Sequence, residues 1–168
     1  MTAWFRRKKR VTPEELGRTL LMMAAGAARN SLNPLLQKVG FRPEDVSEME
    51  YIVGHMFMIA FVVDQHLPQP IGFAVLEGIR HEYVETCRRG GVEETCANAL
   101  FAQRGEEYTG AISNEAGGGP MWHLGVSVYR RVTGSKEPDL DGTAYISLAL
   151  GTFGMAVKDV LNNVEIDG

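Results

Sequence analysis

Residues Tyr51 to Val63 read Tyr-Ile-Val-Gly-His-Met-Phe-Met-Ile-Ala-Phe-Val-Val, thirteen positions with no formally charged side chain and one strongly polar one, His55. As a helix this run is apolar on every face, the mark of a helix enclosed by other helices rather than one lying on a surface. A membrane span needs about twenty such residues, and Glu48, Glu50 and Asp64 close this one off first. The run therefore predicts a helical domain built around a buried hub. No motif beside it assigns an activity.

Length and composition agree with one domain. The chain has 168 residues, 45% of them apolar and 23% charged, the size and balance of a single globular core. Arg6 to Arg10 supply five of the seventeen Lys and Arg, which leaves twelve against twenty-one acids, a net of −9 for the rest of the chain. An acidic body lacks the broad positive face that nucleic acid requires, so no nucleic-acid partner is expected. Cys87 and Cys96 are too few for a disulfide scaffold or a zinc site and read as two free thiols in a reducing, cytoplasmic setting. The basic opening followed by Leu20 to Ala28 fails as a secretory signal, because Thr12, Pro13, Glu14, Glu15 and Arg18 interrupt it.

Those interrupting residues start a helix. Thr12 as N-cap, Pro13 at the first helical position and Glu15 three residues after the cap form a capping box, with Val11 and Leu16 as its hydrophobic staple. Leu16, Leu20, Met23 and Ala27 continue at helical spacing to a predicted break at Asn30 to Asn33, before Pro34. A second helix is expected from Arg42-Pro43-Glu44-Asp45, through the hub, to Pro68. A third carries the stripe Val75, Leu76, Ile79, Tyr83 and Cys87 and ends at Gly90-Gly91. Ala97, Phe101, Tyr108 and Ile112 mark a fourth, whose other faces carry Glu93, Glu94, Glu106 and Glu107.

Met121 to Val132 fits either period, alternating as a strand and repeating every three to four residues as a helix. Helix is the reading adopted, because an isolated strand would find no partner for its backbone hydrogen bonds. Thr143 to Val164 begins with another uncharged stretch and is read as a second buried helix. The expected fold is an all-α, single-domain bundle of about six helices around two apolar central helices, the second and sixth, packed together. Residues 1–11 are expected to be a flexible basic arm and residues 12–168 the helical domain. The opening Trp-Phe-Arg-Arg-Lys-Lys with Thr-Pro-Glu-Glu-Leu resembles in style those of small bacterial helical proteins. It names no family.

Candidate chemistry is sparse. A di-metal carboxylate centre needs Glu-x-x-His, and the residues three before the histidines are Ile52, Val63, Gly78 and Pro120. Glu77, His81 and Glu85 share a helix face at spacings of four and form the one metal-ligand candidate, against the plainer reading of solvated charge pairs. His55 must find a hydrogen-bond partner or suffer a desolvation cost of about 1 to 3 kcal/mol. It either bonds a backbone carbonyl or tyrosine hydroxyl, or lines a ligand cavity between the second, fifth and sixth helices. Trp122 and His123 follow three glycines at a helix start, where free backbone amides could hold an anion.

No nucleophile elbow, phosphate loop or dinucleotide fingerprint occurs, and Ser113, Ser127 and Ser147 lie in no catalytic setting. Trp4, Phe5, Arg6, Arg7, Lys8, Lys9 and Arg10 could touch an anionic membrane or a partner, or rest on the acidic body. Three readings follow. The first is a non-enzymatic module that binds protein, a second copy of itself included, through apolar helix faces. The second is a small-molecule-binding bundle around His55, and the third a membrane-surface adaptor using the arm. No cofactor is expected.

Overall fold

A computed structural model describes residues 8–114 and 116–167 of the chain. Six helices follow one another: α1 (Pro13–Val39), α2 (Glu48–His66), α3 (Gln69–Arg89), α4 (Glu94–Ile112), α5 (Pro120–Thr133) and α6 (Leu140–Asn163). A short parallel pair, β1 (Lys9–Val11) and β2 (Val164–Ile166), joins the two ends. The all-α bundle read from the sequence is the fold.

The apolar run sits where its composition demands. Tyr51 to Met56, Met58, Ile59, Val62 and Val63 are buried, and α2 packs on each of the other five helices. α6 lies against it, the His55 and Phe153 rings meeting edge to face at 5.0 Å. Glycines set the close approaches, Gly54 and Gly17 among them. A Cβ on Gly54 would fall 3.0 Å from both methyls of Val128 in α5, and one on Gly17 would fall 2.9 Å from the Val75 carbonyl oxygen of α3. A side chain at Gly17 would meet backbone and push α1 and α3 apart, and one at Gly54 would require Val128 to shift.

The capping box forms as read, with Thr12 Oγ accepting from the Glu15 amide and Glu15 accepting from the Thr12 amide. Leu16 is buried beneath it and so is Val11. Pro34, however, does not end α1, which continues to Val39 and stops at Gly40 in a left-handed conformation. Asn30 and Pro34 both face solvent, so the carbonyl that proline strips of its partner can be hydrated. Burial of Leu35 and Leu36 in the next turn, worth about 1.5 to 3 kcal/mol each, offsets the proline penalty of about 3 kcal/mol.

The second helix also starts later than its start signal. Pro43–Asp45 makes only one 3₁₀ turn, and Ser47 caps α2 by accepting from the Glu50 amide at 3.2 Å. α5 is helical, with Leu124, Val128 and Val132 buried on one side. α6 departs from expectation on one face: it buries Ile146, Leu150, Phe153 and Val157 but leaves Leu148 70% and Met155 63% exposed.

The arm ends differently as well. A flexible arm through residue 11 is corrected at its last three positions, since Lys9, Arg10 and Val11 pair with Val164, Glu165 and Ile166. A lone two-stranded ladder is marginal in water. This one is held by burial of Val11 in the core, by the Asp167 amide on the Val11 carbonyl at 3.0 Å, and by Arg10 reaching Glu165 at 3.4 Å. Trp4, Phe5, Arg6 and Arg7 lie outside the described residues, while Lys8 is exposed.

Candidate functional site: the groove above His55

His55 is 1% exposed. Its Nδ1 lies 2.9 Å from the Tyr51 carbonyl oxygen one turn earlier. A carbonyl can only accept, so Nδ1 carries the proton and donates, which leaves Nε2 as a bare acceptor. Among the described residues nothing donates to Nε2. The rings of Tyr51, at 4.7 Å, and Phe153, at 5.0 Å, hold the imidazole edge to face. Burial lowers its pKa from 6.5 to about 4, against a smaller raising effect of the Tyr51 carbonyl. The ring is therefore neutral at pH 7.

His55 forms part of the floor of an open groove of about 440 Å³ between α1 and α6, lined chiefly by Ala27, Ser31, Tyr145, Leu148, Thr152 and Ala156. Ser31 shares this groove with an imidazole, yet its hydroxyl donates to the Ala27 carbonyl at 2.7 Å and lies 3.1 Å from the Tyr51 hydroxyl. The pairing of hydroxyl with imidazole that nucleophilic catalysis needs is not made. Burial pushes the Tyr51 hydroxyl up to about 12, so it too stays neutral. The opening expected between α2, α5 and α6 is displaced: Val128 fills the space against Gly54, and the groove borders α1 instead.

The other sequence candidates are not assembled into sites. Glu77 is taken by Arg80, with oxygen–nitrogen distances of 2.9 to 3.2 Å, and Glu85 by Arg88 at 2.8 Å, while His81 is exposed. No group of three metal-ligating side chains occurs among the described residues. The amides of Trp122 and His123 are not free for an anion, since both point to the Gly119 carbonyl, at 3.1 and 3.3 Å. His123 Nε2 bonds the Ala116 carbonyl at 3.0 Å, and Trp122 folds over Gly118. These two residues close the glycine loop rather than open it. Cys87 is buried, Cys96 exposed, and both are free.

Two further features escaped sequence reading. A groove of about 580 Å³ between α1, α2 and α3 exposes Met22 and Met49 over Leu21, Ala25 and Ile52, between the ion pairs Arg18–Glu82 at 2.8 Å and Arg29–Glu48 at 2.6 Å. The other is a buried charge pair. Arg104 of α4, its side chain 8% exposed, donates from Nε and Nη2 to both oxygens of Glu50 in α2, at 2.8 and 2.6 Å. Glu107 bridges onward to Arg131 of α5 at 2.7 Å. Nearby, burial pushes the Tyr83 and Tyr108 hydroxyls well above the usual tyrosine range, and Glu50 adds to the rise in both. Cys87 contributes more than Glu50 to the rise at Tyr83, and the Tyr108 hydroxyl has no hydrogen-bond partner among the described residues.

α6 is the one helix among the described residues that is long and apolar enough to cross a membrane, with a mean hydropathy of 1.3 over its best eighteen residues, of which 33% are buried. Its core residues are bound into the bundle, so the unburied remainder is a surface. Comparison with family models, with curated proteins and with solved structures finds no match to this chain.

Proposed function

We propose that this protein is a non-enzymatic interaction module whose docking face is the outer side of α6 with the groove beside it, and that a second copy of the chain is its first partner. The observation that carries the reading is the incomplete burial of a long apolar helix: only 33% of the residues in the best window of α6 are buried. From Gly142 to Val157 the helix has no charged residue. Water-exposed Leu and Met on such a face stand to gain about 25 cal/mol per Å² when covered.

Self-association is supported by shape. Leu148 and Met155 project as knobs, while Ala27, Ala149 and Ala156 leave the adjoining groove shallow. In a two-fold contact each copy can set its knobs into the other's hollow, the isologous arrangement most homodimers use. The opening over His55 is a groove rather than an enclosed cavity, which weighs against retention of a small molecule.

Native mass spectrometry of the full-length protein from its own host tests this reading. The expected spectrum is a defined multiple of the bare chain mass. A monomer carrying extra mass that disappears on denaturation would overturn it and favour a ligand-binding bundle, with His55 Nε2 as the acceptor for the ligand's donor. A membrane surface is the second reading, supported by β1, which sets Lys9 and Arg10 beside the strand that follows α6. Flotation with anionic vesicles, absent with neutral ones, would favour it.

A further inference from the structure

Away from the α6 face, the start of α2, the second half of α4, the end of α5 and the turn after it border an open polar cleft of about 630 Å³, lined by Glu50, Arg104, Glu107, Arg130, Arg131 and Lys136. Four cations face two carboxylates there, a local excess of two positive charges in a chain whose net charge is −4. The carboxylates are spent internally: both oxygens of Glu50 accept from Arg104, and Glu107 is held by Arg131. Arg130 and Lys136 have no carboxylate within 4.0 Å among the described residues.

The floor of the cleft is the unusual part. Arg104 uses Nε and Nη2 on Glu50, and its Nη1 has no hydrogen-bond partner although the side chain is more than nine-tenths buried. The nearest carboxylate, Glu107 Oε2, is 3.6 Å away, beyond hydrogen-bond length. An orphaned guanidinium nitrogen in a buried position costs free energy unless something accepts from it. Cations in the last turn of a helix are ordinary complements of its dipole, which accounts for Arg130 and Arg131. It accounts neither for the orphaned Nη1 beneath them nor for Lys136 beyond the helix end.

We infer that this cleft binds a small oxyanion bearing at least two negative charges, of the phosphate-monoester or polycarboxylate class. Arg130 and Lys136 form the lip that captures it. Arg131 supplies a planar fork suited to paired oxygens. An anion seated there draws on the positive charge of Arg104, and Glu107 can turn from Arg131 towards Nη1 as Arg131 turns to the ligand.

Calorimetric titration of the full-length protein at low ionic strength, first with inorganic phosphate and then with citrate, tests the inference. Saturable binding of either is expected; phosphate alone would assign the phosphate class, and citrate alone the polycarboxylate class. The double variant Arg130→Ser/Lys136→Ser, which alters only exposed side chains, should keep the wild-type melting temperature and weaken binding by about tenfold or more. The control Lys38→Ser/Lys158→Ser removes the same net charge elsewhere and should bind as wild type. Absence of saturable binding by both anions, or equal losses in the two double variants, would overturn the assignment.

Discussion

His55 and Arg104 are both polar side chains sunk into the bundle, and the fold treats them in opposite ways. His55 stands alone in an apolar helix, stays neutral, and satisfies one nitrogen on its own helix. Arg104 stays charged, held so by the hydrogen bonds it donates to Glu50 on another helix. A neutral imidazole can be sunk at small cost with one local hydrogen bond, whereas a buried guanidinium requires a carboxylate brought from elsewhere in the chain. The first hydrogen bond stays within α2 and links it to no other helix. The second ties α2 to α4, and through Glu107 to α5.

The largest expected effect follows from cutting that tie. Arg104→Ala leaves Glu50 buried without its counter-charge and should destabilise the protein by about 3 to 5 kcal/mol, read as a fall in the urea midpoint. Replacing both partners, as Glu50→Met/Arg104→Met, should recover most of that loss, because no unpaired charge remains. A double variant as unstable as Arg104→Ala would mean that the pair does more than neutralise itself.

The next effect belongs to His55 and to acid. Its folded pKa of about 4 lies below the ordinary 6.5, so the unfolded chain takes up a proton before the folded one does. Its contribution to stability is complete above pH 6.5 and erodes as pH falls towards 4. The integrated loss is about 3 kcal/mol. His55→Leu should melt at the same temperature as wild type or higher at pH 7, and should lose this part of the acid sensitivity. Unfolding curves across the interval measure both; a clear fall in melting temperature at pH 7 would mean that Nε2 completes a core network.

The smallest effect on stability is expected on the α6 face. Leu148→Glu replaces an exposed side chain and should shift unfolding by no more than about 0.5 kcal/mol. A larger loss at protein concentrations low enough for the wild type to be monomeric would show that Leu148 is part of the core rather than a docking residue.

Much of this architecture was legible because it is written locally. The uncharged run from Tyr51 to Val63, the Thr12 capping box and the Gly90-Gly91 stop each act within a turn or two, and α2, the start of α1 and the end of α3 follow them. Misreadings arose where a distant neighbour decided. Pro34 carries a breaker's signal, and α1 passes through it because Leu35 and Leu36 have a core to enter. Residues 9–11 read as arm because their partners, residues 164–166, lie at the other end of the chain.

The sites divide the same way. His55 was visible as the polar exception in an apolar run, and its burial followed. Arg104 is easily passed over as one cation on a helix rich in glutamates, since residue type alone does not distinguish an arginine that faces water from one that meets Glu50 across the bundle. A signal did exist in the helical spacing: Arg104 lies three residues after Phe101 and four before Tyr108, on the stripe that marks the inward face of α4. Glu77, His81 and Glu85 mislead for the converse reason, as good spacing on one helix is answered by Arg80 and Arg88 on the same helix.

Sedimentation velocity of the wild type and of Leu148→Glu over a broad concentration range measures whether the uncovered face of α6 joins two copies. A concentration-dependent dimer is expected for the wild type and a folded monomer for the variant under the same conditions. A wild-type chain that sediments as a monomer throughout, or a variant that dimerises as well as the wild type, would contradict the proposed α6 contact.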